Sequence, residues 1–268
     1  MTTLEINAPF QTTFTVKTNC DNLVFLLYVK YGKHITKSLG EHGQLITAVK
    51  QGDLFKVQFN SKTIISKNPL AEIDGILFEN TVYDKSVFAL HGAAVEYNDK
   101  AYLFLASTTS GKTTLASYLS SKGFGYITDD CILLDRTSFN IYPYNTPIQL
   151  RDGGLAVLKR YNAEPNNLEH LNDVIINRYI YTPKNCVTTE LPLAKIFFIT
   201  RTDDENRIVD MSITECMIKL MKAPITNYTV TSDYVNFVSS LAKTDCSQLL
   251  YRDMEYVVEV IRNGQRIN

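Results

Sequence analysis

The stretch that decides the fold reads Val87-Phe-Ala-Leu-His-Gly-Ala-Ala-Val-Glu-Tyr97, Asn98-Asp-Lys100, Ala101-Tyr-Leu-Phe-Leu-Ala106, Ser107-Thr-Thr-Ser-Gly111, Lys112-Thr-Thr-Leu-Ala-Ser-Tyr-Leu-Ser-Ser-Lys122. Two apolar runs of strand type flank Asn98-Asp99-Lys100, a cluster that turns readily, so 87–97 and 101–106 are expected to form an antiparallel hairpin. The period then changes. Leu115 and Leu119 lie four apart, as on one face of a helix, and Gly123 falls where a helix would need its C-terminal glycine. The pattern is strand, glycine-bearing loop, helix. A further strand, Tyr126-Ile-Thr, runs into the pair Asp129-Asp130, and the apolar Cys131 to Leu134 continues it.

Such a loop has a chemical use. Cradling phosphate needs inward-facing backbone N–H groups at a helix start, a glycine where a side chain would collide, a lysine for the outer phosphates and a hydroxyl for magnesium. Gly111, Lys112 and Thr113 supply the last three, with Ser107, Thr108, Thr109, Ser110 and Thr114 completing the candidate phosphate-binding segment. The first glycine of the strict G-x-x-x-x-G-K-[ST] pattern is replaced by Ala106. A bare Gly-Lys-Ser/Thr triplet arises by chance in roughly one chain in ten of this length, so the context carries the reading. That context is an apolar strand before, a helix after, and two aspartates at the next strand end. Paired carboxylates suit metal-assisted phosphoryl transfer, one holding magnesium and the other accepting the proton of an incoming hydroxyl.

Three further residues are candidates for the same cleft. His91, in Leu90-His-Gly-Ala-Ala-Val95, would be brought beside the loop by hairpin pairing, where it could orient Asp129; Gly92 and Ala93 leave space for an approaching group. Arg151-Asp-Gly-Gly154 combines a permanent cation with two glycines and reads either as a phosphate or substrate loop or as a surface turn. Arg201, ending the strand 195–200, either reaches the cleft or is a strand-end charge.

Before residue 87 the chain reads as β-rich, with strand-like runs at Phe14–Thr18, Leu23–Val29 and Leu54–Phe59. Turn signals stand at Asp21-Asn22, Gly40, Gly43, Gly52 and Asn60-Ser61-Lys62, the last suited to a hairpin. Ile73, Ile76, Leu77 and Phe78 predict a helix within 69–85 that joins this region to the rest. The C-terminal half predicts a strand at 195–200 and a helix opening on the capping box Ser212-Ile-Thr-Glu215. Helices are also expected over 233–241 and 254–261, giving an α/β protein.

Composition narrows the partners. A net charge of −1 over 268 residues, with Lys and Arg scattered, argues against nucleic acid as the main partner. The longest apolar run, Leu23 to Val29, is far too short to span a bilayer, and Met1-Thr-Thr-Leu-Glu-Ile-Asn lacks the look of a signal peptide, so no membrane partner and a cytoplasmic location are expected. Five scattered cysteines without a Cys-x-x-Cys pair read as reduced, packed thiols.

Taken together, Leu90-His-Gly-Ala-Ala-Val, the loop through Lys112-Thr-Thr-Leu, Gly123-Phe-Gly-Tyr-Ile-Thr-Asp-Asp and Leu150-Arg-Asp-Gly-Gly resemble the HPr serine kinase/phosphorylase C-terminal domain family. The resemblance covers about residues 87 to 155. It is similar in particular to stand-alone homologues, such as the kinases that phosphorylate the C-terminal serine of lasso-peptide precursors. It implies a phosphoenolpyruvate carboxykinase-like P-loop core with a mixed sheet over 87–268, preceded by the β-rich region 1–86. It implies ATP and Mg2+ as cofactors and a precursor peptide or small hydroxyl compound as acceptor, in an enzyme of a type that often forms homo-oligomers. Position by position, the family's histidine falls on His91, its loop lysine on Lys112, its magnesium ligands on Thr113 and Asp130, its general base on Asp129 and its substrate-side arginine on Arg151. The roles of the two aspartates are open to exchange. The chain departs from the family pattern at Ala106, Thr108 and Thr109, where Gly, Ser and Gly are usual, and at Arg151-Asp-Gly-Gly, where Arg-Gly-Leu-Gly is usual.

Overall fold

The expected hairpin is present and forms the centre of the sheet that follows. In the computed structural model, which describes residues 1–9, 12–37, 43–82, 87–107, 109–172, 177–224 and 231–263, β7 (Val87–Tyr97) and β8 (Lys100–Leu105) pair antiparallel. Asn98 and Asp99 both take positive φ, 53° and 58°, the backbone of a two-residue turn whose twist matches the strands it joins. The chain divides into two compact units, Met1–Ser86 and Val87–Asn268.

The first unit runs β1 (Thr2–Asn7), β2 (Thr13–Thr18), α1 (Asp21–Tyr31), β3 (Ile35–Lys37), β4 (Gln44–Gln51), β5 (Leu54–Phe59), β6 (Lys62–Ser66) and α2 (Pro69–Val82). Its sheet has the order β3-β1-β2-β4-β5-β6, antiparallel except where β2 meets β4. Alternate residues Leu4, Ile6, Phe14, Val16, Ile46, Ala48 and Val57 are buried, as one covered sheet face requires. The segment Leu23–Val29, read above as a strand, is helical. Leu23, Leu27 and Tyr31 recur every four residues on its buried side, and Asp21, read as a turn residue, supplies the acidic first turn. Gly40 lies outside the described residues.

The second unit continues after β8 with α3 (Lys112–Ser121), β9 (Gly125–Thr128), β10 (Cys131–Asp135), β11 (Asn140–Tyr142), β12 (Ile148–Leu150), α4 (Asp152–Arg160), β13 (Glu169–Asn172) and β14 (Asn177–Tyr181). It then runs through β15 (Leu191–Arg201), β16 (Arg207–Asp210), α5 (Ile213–Leu220), α6 (Ser232–Leu241), β17 (Cys246–Tyr251) and α7 (Met254–Asn263). Its main sheet is mixed: β8, β15 and β17 are parallel neighbours, while β7 and β16 flank them antiparallel. The first half of β7 pairs with β10, and its second half pairs with β8 on one side and β9 on the other. A smaller sheet orders β12-β14-β13.

Successive residues of the central strands serve opposite faces, which is why the strands read as continuous apolar runs. Phe104, Phe197, Ile199, Leu249 and Tyr251 pack with Leu115, Ala116 and Leu119 of α3 and Val257 of α7. Leu103, Leu105, Ile196 and Phe198 pack on the other side with Cys216 and Leu220 of α5 and Phe237 and Leu241 of α6. Each fully buried Phe or Leu contributes about 1.5–3 kcal/mol, so this double layer holds the loop between β8 and α3 in a rigid frame. Gly92 is filled around rather than open: a Cβ there would lie 2.6 Å from Leu105 Cδ2 and Ile132 Cδ1 and 2.9 Å from the Phe104 carbonyl. The space expected at this glycine therefore belongs to core side chains and not to a ligand. None of the described helices is long and apolar enough to cross a membrane.

Candidate functional site

Strand direction gathers the candidate residues. β9 is antiparallel to β7, as β8 is, so β9 runs the same way as β8, and Asp129 after β9 lies at the same sheet edge as the loop after β8. His91 lies one residue past the end of the β7–β8 pairing at Gly92↔Leu105; it faces Cys131 of β10 on one side, and on the other its N–H donates to the Ala223 carbonyl at 2.7 Å. Loop, histidine and aspartates thus converge at the carboxyl ends of the strands, the usual ligand edge of α/β sheets.

The loop is built around its lysine. Gly111 adopts φ 92° and ψ 13° as the N-cap of α3, a left-handed conformation that glycine takes without steric cost. Its carbonyl accepts from Leu115 N at 2.9 Å, closing the first helical turn. Lys112 is buried, and its Nζ donates to the carbonyls of Ala106 and Ser107, each at 2.9 Å. Burial pushes this ammonium down from its ordinary range, while the negative charge of Asp130 opposes the shift. Ser110 Oγ is buried and has no hydrogen-bond partner among the described residues, an orphan of the kind that marks an absent ligand or water. Thr109, where the family pattern has glycine, holds φ at 68°. Ser107 is exposed at the mouth of the loop, Thr114 sits on the first turn of α3, and Thr108 lies outside the described residues.

Asp129 and Asp130 face different surroundings. Asp129 is only 8% exposed and accepts from Tyr126 Oη at 2.7 Å, the same hydroxyl lying 3.1 Å from the Thr146 carbonyl. Burial pushes its carboxyl up to about 6; hydrogen bonds from Tyr126 and Thr113 hold it down in part, and the neighbouring Asp130 charge adds to the rise. Asp130 is exposed, and its Oδ1 lies 3.2 Å from Nδ1 of His91. The histidine therefore partners Asp130, not Asp129 as its position in the sequence suggested. Thr128, at the end of β9, shapes the turn between the strands by accepting from Cys131 N at 3.2 Å.

The Arg151 segment is a helix start. Arg151 is the N-cap residue of α4, with Asp152 in the acidic first turn and Lys159 and Arg160 in the last, the arrangement the helix dipole favours. A Cβ on Gly154 would come within 2.8 Å of Thr114 Oγ1, so this glycine lets α4 abut the first turn of α3 directly behind Lys112 and Thr113. Arg151 is exposed at that junction, and its guanidinium makes no hydrogen bond or ion pair among the described residues.

Several contributors escaped the sequence reading. Tyr126 counted only as a strand residue. Tyr181, from the small sheet, hydrogen-bonds Ser117 of α3, and the Asn145 amide donates to the carbonyls of Tyr126 and Ile127, each at 3.0 Å, bracing the strand before Asp129. A tyrosine with a polar end inside an otherwise apolar strand was the only available signal, since buried Tyr hydroxyls usually have partners.

The donor set suits a phosphate ester with a divalent cation. Among the described residues no three His, Cys, Asp or Glu side chains converge as a metal cage. Mg2+ needs no such cage, because it is commonly held by one or two carboxylates together with substrate phosphates. The Thr113 hydroxyl is close enough to Asp129 to hold its carboxyl down in part, and Asp130 presents an exposed carboxylate nearby.

Fold and site together define a mixed-sheet α/β protein with a Gly-Lys-Thr loop between strand and helix, faced by a buried carboxylate and an exposed one. No protein-family model and no curated protein matches the chain. Among solved structures it is similar to the HPr(Ser) kinase/phosphatase from Coxiella burnetii, at 11% identity and a TM-score of 0.32, with 66% of this chain and 95% of that one covered. At that level of likeness the reading of the site rests on its own residues.

Proposed function

We propose that the chain is an ATP-dependent phosphotransferase acting on a serine-type hydroxyl, with residues 87–268 as the transferase core. The observation that carries this reading is the meeting of two features at one sheet edge: a Gly111-Lys112-Thr113 cradle with a buried Ser110 hydroxyl that has no partner among the described residues, and a buried carboxylate, Asp129, raised to about 6. A general base works best when its pKa lies near the operating pH, and Asp129 is ionised at neutral pH while binding a proton more readily than an exposed aspartate. The acceptor hydroxyl gives its proton to Asp129, its oxygen bonds the γ-phosphorus, and the bond to the β,γ-bridging oxygen breaks to leave ADP. Lys112 turns from the carbonyls of its own loop to the β and γ phosphates, where it offsets charge. Thr113 and Asp130 would hold Mg2+, which would supply positive charge to the transferring group. His91 fixes the Asp130 carboxylate. Arg151, without a hydrogen-bond or ion-pair partner among the described residues, is suited to the acceptor side.

For the acceptor we take a ribosomally made precursor peptide of the lasso-peptide kind, in the cytoplasm, because the sequence of 87–155 resembles such kinases. The test is mass spectrometry of candidate peptides and of free serine after incubation with ATP and magnesium. Wild-type protein should add a phosphate mass, the Lys112→Ala variant should not, and Asp129→Asn should bind ATP yet lose about 10²–10⁴-fold in transfer. Near-normal turnover by Asp129→Asn would remove the base assignment. A second reading, a nucleotide-binding regulatory protein, draws on Thr109, a branched residue held at positive φ where the resembled loop pattern has glycine. Tight ATP binding with no transfer to any acceptor would favour it.

A further inference from the structure

Three parallel strands end beside the phosphate loop, and only one of them has been given a part in the site. β8 leads into the loop itself; its neighbour β15 ends at Arg201, and the next strand, β17, ends at Tyr251, directly paired with Arg201. Alternation along β15 decides which way Arg201 faces. Phe197 and Ile199 pack on the α3 side of the sheet while Ile196 and Phe198 pack on the other, so Arg201, two residues past Ile199, belongs to the α3 side. On β17, Leu249 and Tyr251 lie on that same side. Tyr251 reaches the loop, since its Oη would be 3.8 Å from a Cβ built on Gly111, with nothing else that close. Burial pushes the Tyr251 hydroxyl up to about 12, and the positive charge of Arg201 opposes the rise, which places the guanidinium within electrostatic reach of that hydroxyl. Arg201 itself is exposed, and its guanidinium makes no hydrogen bond or ion pair among the described residues. An uncommitted cation therefore stands at the carboxyl end of the strand next to the loop, while Asp129 and Asp130 flank the loop from the β9 side.

We infer that Arg201 is a second phosphate-binding cation of this site, engaging the polyphosphate chain of the nucleotide from the side of the loop opposite Asp129 and Asp130. The inference rests on the nucleotide reading proposed above and adds a specific residue to it. A fork of N–H donors suits phosphate oxygens better than a point charge, and a charge-assisted contact there discriminates ligands by their number of phosphates. Tyr251 walls the loop at Gly111 and leaves the guanidinium facing the anion.

The test is titration of the full-length protein with ATP, ADP, AMP and inorganic triphosphate in magnesium, using wild type, Arg201→Gln, Arg201→Lys and Lys112→Ala. Arg201→Gln should weaken ATP and inorganic triphosphate by about 10- to 100-fold and AMP by less than about three-fold, with Arg201→Lys between it and wild type. Because Arg201 is exposed, the melting temperature of the variants should stay near that of wild type. ATP affinity within about three-fold of wild type in Arg201→Gln overturns the inference while leaving the nucleotide reading intact, provided Lys112→Ala loses ATP. Equal losses for AMP and ATP also overturn it, since the arginine would then be reading base or ribose. A wild-type protein that binds neither ATP nor triphosphate overturns both readings.

Discussion

Replacing Asp129 with asparagine is expected to stabilise the folded chain at neutral pH, because the carboxylate is held where its charge is disfavoured. The folded value of about 6 lies above the ordinary 3.8, so the folded state binds the proton more tightly than the unfolded chain does. The stabilising contribution of that proton is fully present below pH 3.8 and is lost as the pH rises through 6. At pH 7.5 the ionised group costs the fold up to about 3 kcal/mol, from a shift of roughly two units at 1.36 kcal/mol each. Asparagine keeps an oxygen to accept from Tyr126 and carries no charge, so most of that cost should disappear, leaving a gain of about 1–3 kcal/mol. For a unit of this size the gain corresponds to a rise of roughly 2–12 °C in melting temperature. Scanning calorimetry of wild type and variant from pH 4 to pH 8 checks both size and sign. The two proteins should converge near pH 4, separate progressively between pH 4 and 6, and keep a constant gap above that. A variant no more stable than wild type at pH 7.5, or a separation that does not depend on pH, would refute the claim that Asp129 is desolvated and with it the basis for its role as base.

Two further outcomes follow from neighbouring residues. Tyr126→Phe removes a hydrogen bond that holds the Asp129 carboxyl down, so the acid limb of the pH–rate profile should move to higher pH; an unmoved limb would mean that another group sets it. Gly92→Ala places a methyl against the Phe104 carbonyl and two core side chains and should cost about 1–3 kcal/mol in urea denaturation, whereas a neutral result would reopen the space there for a ligand.

Much of the second unit was legible where local signals were strong. The hairpin turn Asn98-Asp99 carries residues that tolerate positive φ, the helix after Lys112 carries Leu115 and Leu119 on one face, and the capping box at Ser212 forms, with Ser212 Oγ accepting from Glu215 N. Leu23–Val29 misled because an unbroken apolar run has no period to read: its β-branched and aromatic residues suit a strand, and only burial every fourth residue against its unit makes it a helix. Arg151-Asp-Gly-Gly read as a loop because two glycines weaken a helical pattern, although one of them is there for close contact with Thr114. Strands β11 and β12, three residues each, were too short to leave a pattern.

For the site, the amino-acid sequence alone determined which chemical groups are on hand: glycine, lysine and threonine at a helix start and two adjacent aspartates at a strand end, all specified by neighbours along the chain. Tertiary structure decided how those groups differ. Asp129 and Asp130 are adjacent and chemically identical, yet one is buried against Tyr126 while the other faces outward beside His91. The parallel alignment of β8, β15 and β17 brings Arg201 and Tyr251, far along the chain, to the same edge as the loop. Desolvation and strand register arise from contacts between segments distant in sequence, and no local spacing encodes them.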